Sequence, residues 1–303
     1  MAQARATVPF GTRRQARWLP FLSVALPGIG WILFGLYPSL ATIFYSLTQY
    51  SGVPGTPLNF VGLSNYVNAF TKLFPALGAD LKVTILYTAG VTILQNAAGL
   101  GLAFLLNRRR AAFGLYRALV FLPEIFSVIV VGAIFLLLFD PFEGPLEKLY
   151  HSLTGSTSAF FGSPHLALWL VVFVNVWMFA GYTMMIYIAG LRNIPHDIYE
   201  AGAVDGVGRW TRFRRLTWPL LAPATTVNVF LTAMGSIGQY ALILVLTDGQ
   251  FGTRTIGMDM FTTAFGSSTQ LGYGSMLAMI QFFLTLLIGG GLLLVLRRRE
   301  VQL

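Results

Sequence analysis

The stretch Tyr199 to Pro223, YEAGAVDGVGRWTRFRRLTWPLLAP, sets two acids, four arginines, three glycines and two late prolines between hydrophobic runs. It cannot cross a membrane, because each centrally placed Arg or Asp costs about 2.5–3.5 kcal/mol to insert. It must lie at a membrane surface and join two runs that do cross. Pro195 can open a helix, Asp197 can serve as its N-cap, and Glu200 three residues on can complete a capping box. Gly206 and Gly208 then permit a turn. A second helix, about Arg209 to Thr217, carries Trp210, Phe213 and Thr217 on one side and Arg212 and Arg215 opposite. Pro219 and Pro223 fall at the entry of the next run, where proline costs least. The stretch reads as a helix-turn-helix lying on the membrane.

The rest of the chain agrees. Of its 303 residues 55% are hydrophobic and only 10% charged, with a mean hydropathy of +0.70. Six charge-poor runs are each long enough to span hydrocarbon, which takes about 20 apolar residues. They are about Pro20 to Thr48, Val83 to Leu106, Ala118 to Phe139, Ala167 to Leu191, Pro219 to Leu246 and Ser275 to Leu296. Their apolar character is continuous rather than alternating, so an all-α membrane protein is expected and not a β-barrel. The connections Gln49 to Lys82, Asp140 to Leu166 and Thr247 to Gly274 are rich in Gly, Pro, Ser and Thr and read as structured loops with brief helices. The division expected is a basic tail over residues 1–18 and one transmembrane domain over 19–303, with the charged loop at about 192–218.

Charge gives the orientation. Sixteen of the twenty basic residues fall on one side: Arg5, Arg13, Arg14 and Arg17; Arg108, Arg109, Arg110 and Arg117; Arg192, Arg209, Arg212, Arg214 and Arg215; and Arg297, Arg298 and Arg299. By the positive-inside bias that side, and with it both termini, is cytoplasmic. The net charge of +9 is then topology with some attraction to anionic lipid, not a nucleic-acid footprint. The first run far exceeds the short core of a cleavable signal and is expected to stay as an anchor.

Several chemistries are excluded. There is no cysteine, and His151, His165 and His196 are not grouped with acids at ligand spacing, so no metal site is expected. None of Lys72, Lys82 and Lys148 follows a glycine, so there is no phosphate-binding G-x-x-x-x-G-K-[ST] loop. Neither H-E-x-x-H nor G-x-S-x-G is present, and no catalytic residue is assigned.

Physics alone leaves the charged stretch open between an ordinary basic re-entry loop and a docking element, since amphipathic surface helices are common. Its sequence resembles the EAA motif of the permeases of binding-protein-dependent ABC transporters. Glu200, Ala201 and Gly206 match, with Leu216 and Pro219 at the expected spacing. Gly202 replaces the second alanine, Leu216 an isoleucine and Trp218 a leucine. The resemblance is strongest to the maltose-type, carbohydrate-uptake permeases. FVGLSNY (Phe60 to Tyr66), YRALVFLPEIFSVIVVGAIFLLLFDPFEG (Tyr116 to Gly144), IYIAGLRNIPHDIYEAGAVDG (Ile186 to Gly206) and LTDGQFGTRTIGMDMFTTAF (Leu246 to Phe265) resemble ordered segments of that family. In the last, Gly249 is followed by Gln250 and Phe251 where the family usually reads GGP.

The resemblance implies one permease subunit of an ATP-driven importer of a sugar or oligosaccharide in a bacterial or archaeal cytoplasmic membrane. Its partners would be a second homologous permease, two cytoplasmic ATPase subunits that bind ATP and Mg, and an extracytoplasmic solute-binding protein. This chain would bind no cofactor. Glu200, Ala201, Asp205, Gly206 and Gly208 would form the ATPase-coupling turn.

For the substrate pathway, Glu124 is the only acid inside an expected span. It reads either as a pathway group or as a partner of Arg117 near the inner interface. Asn175 and Tyr182 are two helical turns apart and share a face. Thr232, Ser236 and Gln239 are spaced four and three and share another. Asn175, Tyr182, Thr232, Ser236 and Glu124 coincide with places where the resembling permeases contact sugar. Their Asn, Thr and Ser could equally bond between helices. No span carries Lys or Arg at its centre, which favours a neutral polyhydroxylated solute over an anion. The alternatives are a self-sufficient secondary transporter or channel, which usually has more than one ionisable group at depth, and an intramembrane enzyme, which needs paired catalytic groups.

Overall fold

The computed structural model describes residues 15–107, 111–267 and 269–297. Arg5, Arg13, Arg14, Arg108 to Arg110, Arg298 and Arg299, and with them most of the expected tail at 1–18, lie outside the described residues. Within them the chain is almost wholly helical, the one β-bridge joining Thr48 and Phe60. Helix α1 runs through Gln15–Trp31, a wider π turn at Ile32–Leu36 and Tyr37–Ser46. There follow α2 (Ser64–Thr71), α3 (Phe74–Leu106), α4 (Ala111–Ile125), α5 (Val128–Leu138) and α6 (Pro145–Thr154). Then come α7 (Ala167–Asn193), α8 (His196–Val204) and α9 (Arg209–Leu220). The chain closes with α10 (Ala222–Ile237), α11 (Ala241–Thr247), α12 (Ile256–Phe265) and α13 (Leu271–Arg297).

Among the described residues four helices are long and apolar enough to cross a membrane: Ser23–Ser46, α3, α7 and α13. Two bent pairs, α4 with α5 and α9 with α10, bring the number up to six if each pair is counted as one span. The six expected runs are thus all helical, with three corrections. The second begins at Phe74 rather than Val83, because Pro75 can start the helix and Asp80 and Lys82 are carried within it. The third is not continuous: Phe113–Ile125 and Val128–Leu138 meet at 97°. Pro123 interrupts the hydrogen-bond ladder, Phe126 N–H turns back to the Pro123 carbonyl at 3.3 Å, and Ser127 is extended. The fifth breaks twice, by 66° between Leu220 and Ala222 and again at Gly238 to Tyr240.

Helix α7 is the hub. Its most apolar window is 61% buried, against 0% for α1 and 6% for α13, so α3, α4, α10 and α11 pack around α7 while α1 and α13 lie outside. Such exposed apolar faces cost nothing against lipid, which is as apolar as leucine. One core cluster gathers Tyr87, Val131, Phe135, Val171, Met178 and Leu242; a second gathers Ala103, Met184, Tyr187, Ile188 and Leu221. Helix α4 approaches α7 at Gly181, where a Cβ would stand 2.3 Å from the Val120 carbonyl oxygen. That approach draws the end of α4 onto the middle of α7.

The end opposite the charged hairpin is closed by polar ties. Asp80 of α3 pairs with Arg254 at 3.6 Å, Arg254 also pairs with Asp259 of α12, and Ile256 N–H donates to Thr84 Oγ1 at 2.9 Å. Asp140 folds the turn after α5 by accepting from the backbone N–H groups of Glu143 and Phe142, which hold its carboxyl below the ordinary range.

Candidate functional site

Two arrangements stand out, one inside the bundle and one at its arginine-rich end. Inside, a cavity of about 220 Å³ is walled by α3, α4, α7 and α10. Glu124, Asn175, Tyr182, Thr232, Ser236 and Gln239, drawn from three expected spans, all line it, joined by Gln95, Phe179 and Gly235. Asn175, Thr232 and Ser236 are buried and Tyr182 is partly open. Glu124 sits in the last turn of α4, on the elbow made by Pro123. A broken helix at membrane depth is tolerated where it lines a cavity, because its freed backbone groups then find polar surroundings. Glu124 Oε2 is buried and has no hydrogen-bond partner among the described residues. Arg117 does not pair with it: Arg117 Nε donates to the Phe113 carbonyl at 2.9 Å. Gln239 reaches the cavity from the break after α10, not from a shared helical face as expected, its N–H bonding to the Ser236 carbonyl at 3.2 Å.

Behind the cavity runs a belt of hydrogen bonds that ties α3, α7 and α10. Gln95 Nε2 donates to Thr183 Oγ1 at 2.8 Å, and Tyr187 Oη donates to Asn96 Oδ1 at 2.8 Å. Asn228 Nδ2 donates to the Thr183 carbonyl at 3.3 Å, and Thr232 Oγ1 to the Asn228 carbonyl at 2.7 Å. The bonding between spans is thus made largely by Gln95, Asn96, Thr183 and Asn228. The Ser236 hydroxyl donates within its own helix, to the Ala233 carbonyl at 3.0 Å. Gln95 and Asn96 were missed from the sequence; adjacent amides in an apolar run were the available signal.

At the other end, α8 and α9 form a hairpin. Helix α8 starts after Pro195 rather than at an Asp197 cap, and the expected capping box does not form. Glu200 turns instead to His196, whose Nδ1 lies 2.9 Å from Glu200 Oε1 on the exposed face. The helix ends in a left-handed turn at Gly206, φ +69°. Val207 N–H donates to the Gly202 carbonyl at 2.9 Å and Gly206 N–H to the Ala203 carbonyl at 3.1 Å, a Schellman closure. Glu200, Ala201, Asp205, Gly206 and Gly208 are all exposed, as is Val204, 88% open. Phe213 of α9 packs edge-on against Phe104 of α3, with ring centroids 5.5 Å apart, and Tyr199 Oη bonds Thr217 at 3.3 Å. The hairpin is therefore a braced element whose tip points away from the bundle. No group of three or more potential metal ligands occurs among the described residues.

Residues 95–300 match the family model described as the binding-protein-dependent transport system inner membrane component. The chain is 29% identical to the probable starch degradation products transport system permease protein AmyD of Thermoanaerobacterium thermosulfurigenes, covering 93% of this chain and 95% of that one. It is 30% identical to the probable ABC transporter permease protein YurN of Bacillus subtilis, over 90% and 94% of the two chains. A solved bacterial alginate ABC transporter, bound to its pentasaccharide-carrying periplasmic protein, shares the fold with a TM-score of 0.79 at 19% identity, over 93% of this chain and 96% of that one. The chain belongs to the family of inner membrane components of binding-protein-dependent transport systems.

Proposed function

We propose that this chain is one permease subunit of an ATP-driven importer that carries a neutral sugar or oligosaccharide by alternating access. The observation that carries the substrate reading is the cavity: amide, hydroxyl and carboxylate groups converge there, and no basic side chain lines it among the described residues. Such a set accepts and donates hydrogen bonds to hydroxyls but offers no cation to a phosphate or carboxylate. AmyD and the trehalose/maltose permease MalF of Thermococcus litoralis, 28% identical over 88% of each chain, support a carbohydrate by their names. At about 220 Å³ the cavity falls below the roughly 300–1,000 Å³ of a complete small-molecule site. A second, related permease would supply the facing half.

The exposed hairpin tip, Glu200 to Gly208, is the proposed seat of a cytoplasmic ATPase. Two ATPase subunits, holding ATP and Mg, would close and rock the permease pair between inward- and outward-facing states, as differential contacts in two states require. An extracytoplasmic binding protein would deliver the solute at the opposite end. Both termini would be cytoplasmic and the spans would lie in the cytoplasmic membrane of a bacterium or archaeon. A family defined by dependence on a binding protein disfavours a self-sufficient transporter or channel. Uptake of labelled sugars into vesicles carrying the whole complex tests this: accumulation should require internal or external ATP on the ATPase side. Gradient-driven accumulation without ATP would overturn it.

A further inference from the structure

We infer that the groove between α3 and α9 is a binding site for an acidic phospholipid, with the headgroup phosphate held by Arg209 and Arg212. The groove is about 630 Å³. One wall is apolar, made by Leu100, Gly101 and Phe104 of α3 with Phe213 of α9; the two arginines stand on the other. Arg212 Nε is buried without a hydrogen-bond partner among the described residues. A guanidinium N–H left unpaired at such a depth is costly, so the position favours an acceptor. No protein carboxylate supplies it: Glu200 is taken by His196, and neither arginine enters an ion pair among the described residues.

The chemistry wanted is an anion with an apolar tail. Guanidinium forks match phosphate oxygens bidentately, and the α3 wall offers an acyl chain a continuous surface beside the bundle. Gly101 widens that wall, since nothing lies within 4 Å of the place a Cβ would take. A free phosphate would satisfy the arginines but leave the apolar wall unused, which is why a lipid fits the groove better. Occupied in this way, the lipid would brace α9, and with it the hairpin that carries Glu200 to Gly206, against α3.

The test uses the whole transporter complex, equilibrated with equal phosphatidylglycerol and phosphatidylcholine, stripped in mild detergent and weighed intact by native mass spectrometry. Phosphatidylglycerol should be retained over phosphatidylcholine. Arg209→Gln and Arg212→Gln should each weaken retention about five-fold, the equivalent of about 1 kcal/mol per arginine at an anionic surface. Gly101→Phe should weaken it with both arginines intact, by filling the acyl wall. Arg209 is exposed, so its variant folds even if a substitution at the more buried Arg212 does not. Excess inorganic phosphate should not displace the lipid. Equal retention of the two lipids, unchanged retention in the variants, or full displacement by inorganic phosphate, which would mark a free-anion site, would each overturn the inference. So would a complex that retains no lipid because a partner subunit fills the groove.

Discussion

Gly202 and Leu216 meet across the hairpin: a Cβ on Gly202 would stand 2.9 Å from Leu216 Cδ1. These are two of the three positions at which the EAA-like stretch departs from its pattern, so the departures touch each other. Glycine in a helix costs about 1 kcal/mol relative to alanine, and here it makes room for a leucine tip. Gly202→Ala should be near neutral, because that helix gain offsets a small shift of a flexible side chain. Gly202→Leu should destabilise the complex by about 1–3 kcal/mol through overpacking, seen as a lower thermal midpoint together with reduced ATP-dependent uptake.

At Gly206 the backbone, not the space, sets the constraint. No atom lies within 4 Å of its would-be Cβ, yet φ is +69°, where a side-chained residue is strained by about 1–2 kcal/mol. Gly206→Val should open the Schellman turn and lower co-purification with the ATPase. Gly206→Asn, which tolerates the left-handed region, should keep most of it. Equal retention in both variants would show that the turn is not the ATPase contact.

Glu124 tests the cavity. A hydrogen bond to a carboxyl group is worth about 0.5–1.5 kcal/mol when the group is neutral and about 1.5–3 kcal/mol when it is charged, so Glu124→Leu should raise the KM for sugar uptake by about two- to hundredfold. Glu124→Gln keeps the acceptor oxygen and should fall between. An unchanged KM in both would remove Glu124 from the pathway.

Asn96 separates architecture from substrate contact. Asn96→Leu leaves the Tyr187 hydroxyl without its acceptor, at a cost of about 0.6–1.7 kcal/mol for such bonds in a membrane bundle. Asn96 Nδ2 also lies 3.5 Å from Thr232 Oγ1 at the cavity wall, so the thermal midpoint should drop while the KM rises far less than in Glu124→Leu.

Much of this was legible in the sequence, and the exceptions share a cause. Hydropathy located helical segments at each of the six runs, because length and apolarity are what a bilayer demands. It was blind to the elbow at Phe126 and Ser127 and to the break at Gly238 to Tyr240, since a bend within an apolar run leaves composition unchanged. Pro123 was the one local sign of the first. Periodicity on α7 and α10 placed Asn175 with Tyr182 and Thr232 with Ser236 on cavity-facing positions. Gln239 arrived there by the break instead. The capping box failed because the helix begins at His196, which puts Asp197 inside the first turn rather than at the cap, and Glu200 turns to His196. The pairing of Arg254 with Asp80 joins residues 174 apart in sequence, beyond the reach of local pattern.

Whether ATP drives a sugar through this cavity can be read at Gly235. It lines the cavity, and nothing lies within 4 Å of its would-be Cβ, so Gly235→Trp should fill the space without disturbing the bundle. Uptake of labelled sugar by the reconstituted complex, with and without ATP, is the measurement. Uptake in the parent should depend on ATP and should be lost in Gly235→Trp, with the ATPase still co-purifying. Undiminished uptake in the filled variant, or uptake in the parent without ATP, would contradict it.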